Sequence, residues 1–208
     1  KTPVNHIEAL QYPEEWIQLE KVENDDNTTS WLLYFGQNPS DCNDYRETVI
    51  TYTTLGVSEA RTLAPILQDF YPVGGLISAK GFALFSETFN AGEDVSNWVK
   101  DGVVNVLSSV DMSDLDRNWV PIGTEEHPFN LKFNGDSRII SGLTSSSPLF
   151  GVCDGAEIYD VIIDNTSKVT LTQDYNSAVY VAALAEKLTN SSSIKDCSSS
   201  AAITIDAR

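Results

Sequence analysis

The stretch EDVSNWVKDGVVNVLSSV, residues 93–110, carries the strongest periodic signal in the chain. Val95, Trp98, Val99, Val103, Val106, Leu107 and Val110 recur at helical spacing, while Glu93, Asp94, Asn97, Lys100, Asp101, Asn105, Ser108 and Ser109 take the opposite side. This pattern predicts an amphipathic helix whose acidic first turn suits the positive end of the helix dipole. Trp98 reads as a core anchor of that helix, and Gly102 as a place where it approaches a sheet closely.

Two weaker helical patterns flank it. Glu59 to Phe70 shows a stripe of Leu63, Ile66, Leu67 and Phe70 behind a Ser58 cap, with Pro65 implying a kink. Ala178 to Leu188, started by Asn176 or Ser177, presents a broad face of Val, Ala and Leu. Strand signals fall at Trp31–Phe35, Thr48–Leu55, Leu76–Phe89 with a break at Gly81, Phe129–Phe133 and Ala201–Ile205. Asn134-Gly135-Asp136-Ser137 before Arg138–Ile140, and Asp164-Asn165-Thr166-Ser167 between Glu157–Ile163 and Lys168–Thr172, read as hairpin turns. The expected architecture is α+β: a mainly antiparallel sheet with two or three helices packed on one face. With no internal repeat and no linker-like stretch, residues 1–208 read as a single compact domain.

Composition narrows the partners. The chain has 208 residues, 41% hydrophobic, and its four Trp, eight Tyr and eight Phe supply a core without metals. Thirty acidic residues against thirteen basic ones leave a net charge of −17, which repels phosphate backbones and anionic lipid. Nucleic acid is therefore not an expected partner. No apolar run approaches the roughly 18 residues of a spanning helix, so no membrane span is expected.

Three N-glycosylation patterns, at Asn27, Asn165 and Asn190, and a start at Lys1 without Met suggest a secreted glycoprotein proteolytically processed from a precursor with a signal peptide. Three cysteines, Cys42, Cys153 and Cys197, allow one disulfide bond and leave a third thiol. Cys42 and Cys197 lie in polar loop sequence and are the better pair; Cys153 follows apolar residues and reads as buried, or as a link to a second chain cut from the same precursor.

Candidate chemistry is sparse. His127 lies beside Glu125 and Glu126, either of which would orient its ring as a general base, and His6 is the other imidazole. Ser137 follows a turn but lacks the glycine-flanked elbow of a nucleophilic serine. Glu87 and Glu157 are conceivable partners for carboxylate-only hydrolysis. Asp111, Ser113, Asp114 and Asp116 cluster without completing a calcium loop, and Asp154-Gly155 reads as a turn. Catalytic residues are thus unassigned, with no cofactor and no metal expected. The leading expectation is a secreted non-enzymatic recognition protein, such as a toxin, effector or cell-surface interaction component, meeting a protein or a cell-surface glycan. The alternative is a secreted acid hydrolase using paired carboxylates.

Overall fold

The computed structural model describes residues 7–25, 29–42, 44–54, 60–62, 65–173 and 181–207. These residues are mostly β, with a single α-helix among them. The expected α+β arrangement, with two or three helices on an antiparallel sheet, is therefore corrected. The chain forms two compact units, Lys1–Pro39 with Asn43–Tyr71, and Ser40–Cys42 with Pro72–Arg208.

The first unit is antiparallel. β1 (Ile7–Gln11) and β2 (Ile17–Glu23) precede β3 (Thr29–Phe35), which pairs with β2 from Ile17↔Phe35 to Glu23↔Thr29. The chain crosses between units near β4 (Pro39–Ser40) and returns to add β5 (Arg46–Thr48), β6 (Thr51–Thr54), β7 (Arg61–Thr62) and β8 (Ile66–Gln68). It crosses again at β9 (Tyr71–Pro72). β6 pairs with β1 and β7, and β5 with β8. The sequence-predicted strands at 31–35 and 48–55 meet β3 and β6. The described part of the 59–70 helix is instead β7 and β8, because the ladder Arg46↔Gln68 to Thr48↔Ile66 claims the backbone groups a helix needs, and Pro65 has no N–H to give one. Ser58, Glu59 and Leu63 lie outside the described residues.

The second unit begins with α1 (Ala79–Asn90), within what reads in sequence as strand. Ser78 caps it, its hydroxyl accepting from the Gly81 N–H at 3.0 Å. Phe82, Phe85 and Phe89 recur on one face and turn inward. A 3₁₀ turn at Ser96–Trp98 leads to β10 (Val99–Lys100) and β11 (Val103–Asn105). These two strands are antiparallel, paired Val99↔Val104 and Lys100↔Val103, and joined by Asp101-Gly102. Both joining residues have positive φ, 53° and 78°, so Asp-Gly here is a two-residue hairpin turn and Gly102 stands exposed at its tip. The helix predicted over 93–110 does not exist.

From β11 onward the chain winds in coils whose strands stack in parallel. β12 (Val110–Asp111) and a 3₁₀ turn complete the start of the first coil. The second coil holds β13 (Lys132–Asn134), β14 (Ile139–Ser141), β15 (Thr144–Ser145) and β16 (Phe150–Asp154). The third holds β17 (Glu157–Tyr159), β18 (Ile162–Ile163), β19 (Lys168–Gln173) and β20 (Ala185–Thr189). The last holds β21 (Ser193–Lys195), β22 (Ser198–Ser199) and β23 (Ala202–Ala207). Parallel pairing joins β11–β13–β17–β21, β12–β14–β18–β22, β15–β19–β23 and β16–β20. This is a parallel β-helix, in which each coil rests on its neighbours.

Stacked apolar columns fill the interior. Val104, Phe133 and Ile158 form one column; Val110, Ile140 and Ile163 another. α1 packs over this interior through Phe82 on Phe133 and Phe89 on Phe129, with ring centroids 6.2 and 5.3 Å apart. Trp98 is buried as expected, but against Phe85 and with its indole N–H donating to the Asp41 carbonyl at 2.7 Å. The two expected hairpins are coil corners: residues 134–137 join β13 to β14 and residues 164–167 join β18 to β19, and the strands of each pair lie in different sheets. The third predicted helix also fails where it is described, since 185–188 belong to β20; Asn176, Ser177 and Ala178 lie outside the described residues. The final predicted strand, 201–205, meets β23.

Candidate functional site

Alternation along β19 sets one outer face of the β-helix. Val169 is buried, so Lys168, Thr170 and Thr172 face outward. Register with β15 and β23 places Thr144 and Ala202 beside Lys168, Thr204 beside Thr170, and Asp206 beside Thr172. Hydroxyls from three neighbouring strands therefore share this face with Lys168 and Asp206.

Two hollows adjoin this face and share Trp119 and Thr144. The larger, about 380 Å³, is lined by Asn118, Trp119, Thr144, Ser145, Ser146 and Thr170. The smaller, about 240 Å³, runs on toward Arg117 and Leu143. Trp119 is fixed by donating its indole N–H to the Pro148 carbonyl at 2.9 Å and is almost wholly buried. The Ser145 hydroxyl donates to the Ser147 carbonyl, which stiffens the loop 145–147. Asn118, Thr144 and Ser146 are exposed. Arg117 is committed elsewhere: it meets Glu87 at 3.2 Å and Asp116 at 3.0 Å. Its partners hold the guanidinium further above its usual range, and it in turn holds Asp116 below the usual carboxylate range. The larger hollow thus offers hydroxyls, one amide and an indole edge, and no charged side chain lines it.

The residues singled out by sequence do not assemble into a catalytic group. His127 lies in the loop 124–128, which bulges between Ile122-Gly123 and Phe129; its ring packs against Gly92 rather than a carboxylate. Glu125 turns away to Lys187 at 2.8 Å. His6 lies outside the described residues. Glu87 sits on α1 with Arg117, whereas Glu157 opens β17 and pairs with Lys132 at 3.0 Å, so each acid has its own cation. Ser137 is a corner residue. Asp111 accepts from the Ser113 hydroxyl at 2.7 Å and backbone N–H at 2.9 Å, which hold its carboxyl below the usual range and make it a cap of the 3₁₀ turn. Among the described residues, no group of three or more His, Cys, Asp or Glu side chains is arranged to hold a metal. Asp154-Gly155 is a turn, with Gly155 at φ 73°.

The three cysteines are free thiols in separate surroundings. Cys42 lies 3.4 Å from the Ser78 hydroxyl, Cys153 is buried in the β-helix, and Cys197 approaches the Val161 N–H at 3.5 Å. Of the glycosylation patterns, Asn165 and Asn190 are exposed at coil corners, while Asn27 lies outside the described residues. No helix among the described residues is long and apolar enough to cross a membrane.

The hydroxyl strip escaped the sequence reading. Thr144, Thr170 and Thr204 are far apart in the chain, and only the parallel register of β15, β19 and β23 brings their strands together. Strand alternation in Lys168–Thr172 was the one available signal. Fold and hollow together describe a β-helical unit with a hydroxyl-rich strip, whose larger hollow is lined without charge. Comparison with protein-family models, curated proteins and solved structures gives no match.

Proposed function

We propose that this is a non-enzymatic recognition protein that acts outside the cytoplasm and whose β-helical unit holds a neutral glycan on the strip beside Trp119. One observation carries the reading: in a chain of net charge −17, the 380 Å³ hollow is lined solely by hydroxyls, an amide and an indole. Such a surface suits a polyhydroxylated ligand, which exchanges hydrogen bonds with Ser, Thr and Asn and suffers no charge desolvation. The exposed corner positions of Asn165 and Asn190 support an extracytoplasmic location. The acid-hydrolase alternative has less support, because Glu87 and Glu157 are each held by their own cation.

The test is titration of the isotope-labelled protein with neutral and with anionic oligosaccharides, followed by chemical shift and by product analysis. Neutral ligands are expected to shift Asn118, Thr144 and Thr170 saturably, with a Kd of about 0.1–1 mM that salt hardly changes. Thr144→Val with Thr170→Val should weaken binding about tenfold. The reading fails if no neutral oligosaccharide moves these residues, or if the ligand is cleaved.

A further inference from the structure

The first unit carries a second kind of hollow. About 220 Å³ in volume, it is lined by Glu14, Glu15, Trp16, Gln18, Tyr34 and Phe35, with the Gly36 backbone at its edge. We propose that this hollow docks the ammonium group of a lysine on an exposed basic segment of a partner protein. The inference is independent of the glycan reading, since it concerns different residues and a different ligand.

The local fold builds the hollow. The N–H groups of Trp16 and Ile17 both donate to the Pro13 carbonyl, at 3.4 and 3.1 Å, closing a turn that leaves Glu14 and Glu15 exposed ahead of β2. The β2–β3 register sets Gln18 opposite Tyr34, and the Tyr34 hydroxyl donates to Glu20 at 2.7 Å, which fixes its ring. Trp16 and Phe35 stand with ring centroids 6.2 Å apart at 44°. Tyr34 and Phe35 remain 51% and 42% exposed, a cost that an aromatic pair bears when it serves a contact.

The chemistry selects a cation. Neither Glu14 nor Glu15 pairs with a cation among the described residues. Two carboxylates beside three aromatic rings attract an ammonium both by charge and by the negative ring faces. Trp16 already takes part in such chemistry within the unit, since the Arg46 guanidinium lies 4.1 Å from its ring centroid. Arg46 is itself held in place by Gln68 and by the Gly36 and Gln37 carbonyls, at 2.6–2.9 Å. It leaves the two carboxylates in excess over the one local cation. A net charge of −17 adds long-range attraction toward a basic segment.

The decisive experiment titrates the full chain with a lysine-containing peptide capped at both ends, with the same peptide acetylated on its lysine, and with spermidine. The expected result is a saturable shift of the Trp16 indole and Tyr34 signals with the lysine peptide and none with its acetylated form. Raising salt from about 50 to 500 mM should weaken it about fivefold. Glu14→Gln with Glu15→Gln, both at exposed positions, should weaken it about tenfold without changing the fold as read by circular dichroism. Equal binding of the acetylated peptide, an unaltered affinity in the double variant, no binding at millimolar peptide, or binding of spermidine without the peptide would each overturn the proposal.

Discussion

Cysteine shows how much a single position depends on its surroundings. Burial is the first cause of a raised pKa at all three: Cys42 is pushed up to about 11, Cys153 to about 12, and Cys197 moves in the same direction. The ordinary value is 9.0, so folding favours the neutral thiol. For Cys153 the contribution is fully present below about pH 9 and is lost as pH rises toward 12, an upper bound of about 4 kcal/mol by the end of that window. Urea stability measured at pH 8, 9, 10 and 11 should therefore fall less steeply for Cys153→Ala than for the parent chain, although the variant starts lower because of the cavity it creates. Parallel curves would show that the thiol does not couple folding to alkaline pH.

Among the elements, the hairpin β10–β11 best separates pattern from structure. Residues 93–110 satisfy the helical period, yet five of its seven inward-reading residues are Val, whose branching favours strands. Asp101-Gly102 lies in the middle and takes a turn conformation that a helix does not allow. Gly102→Ala therefore discriminates by sign. In an exposed helix the change would stabilise by about 1 kcal/mol. At φ 78° it should destabilise by about 1 kcal/mol, read as a lower urea midpoint with an unchanged slope. An increase in stability would contradict the hairpin. The opposite misreading occurs at α1, where Phe and Thr suggest a strand. Ser78 as cap and the spacing of Phe82, Phe85 and Phe89 were the helical signals, and Gly81 is required there because a Cβ would meet the Asp41 carboxylate.

At the scale of the whole molecule, one clasp ties a distant segment to the β-helical unit. Asp41, only 4% exposed, accepts from the Ile77 and Ser78 N–H groups at 2.7 and 2.8 Å and from the Ser78 hydroxyl at 2.8 Å. Its carbonyl accepts from Trp98, so residues 40–42 fasten the start of α1 and the tryptophan beneath it. Asp41→Ala leaves these three donors and the Cys42 thiol without this acceptor and should cost about 3 kcal/mol, whereas Asp41→Asn retains one acceptor oxygen and should cost about half as much. Equilibrium unfolding followed by tryptophan fluorescence measures both; equal stability of Asp41→Ala and the parent would show that the clasp is not a stabilising contact.

The acidic surface, the burial of Trp98 and Cys153, and strands such as β3 and β23 were legible in the sequence, because composition and alternation are local properties. So were 134–137 and 164–167 as turns, though not as the corners of a coil. The path of the chain beyond each turn is set by tertiary contacts instead. A corner and a hairpin turn use the same residues, Asn, Gly, Asp and Ser, and strands of two or three residues carry too few alternations to reveal a partner. Only pairing across coils, Lys132↔Glu157 or Val169↔Ile203, makes the sheets parallel. The same pairing creates the hydroxyl strip, since strands far apart in sequence become neighbours once the coils stack. Both the fold and the candidate site rest on long-range register, which periodicity within one segment does not contain.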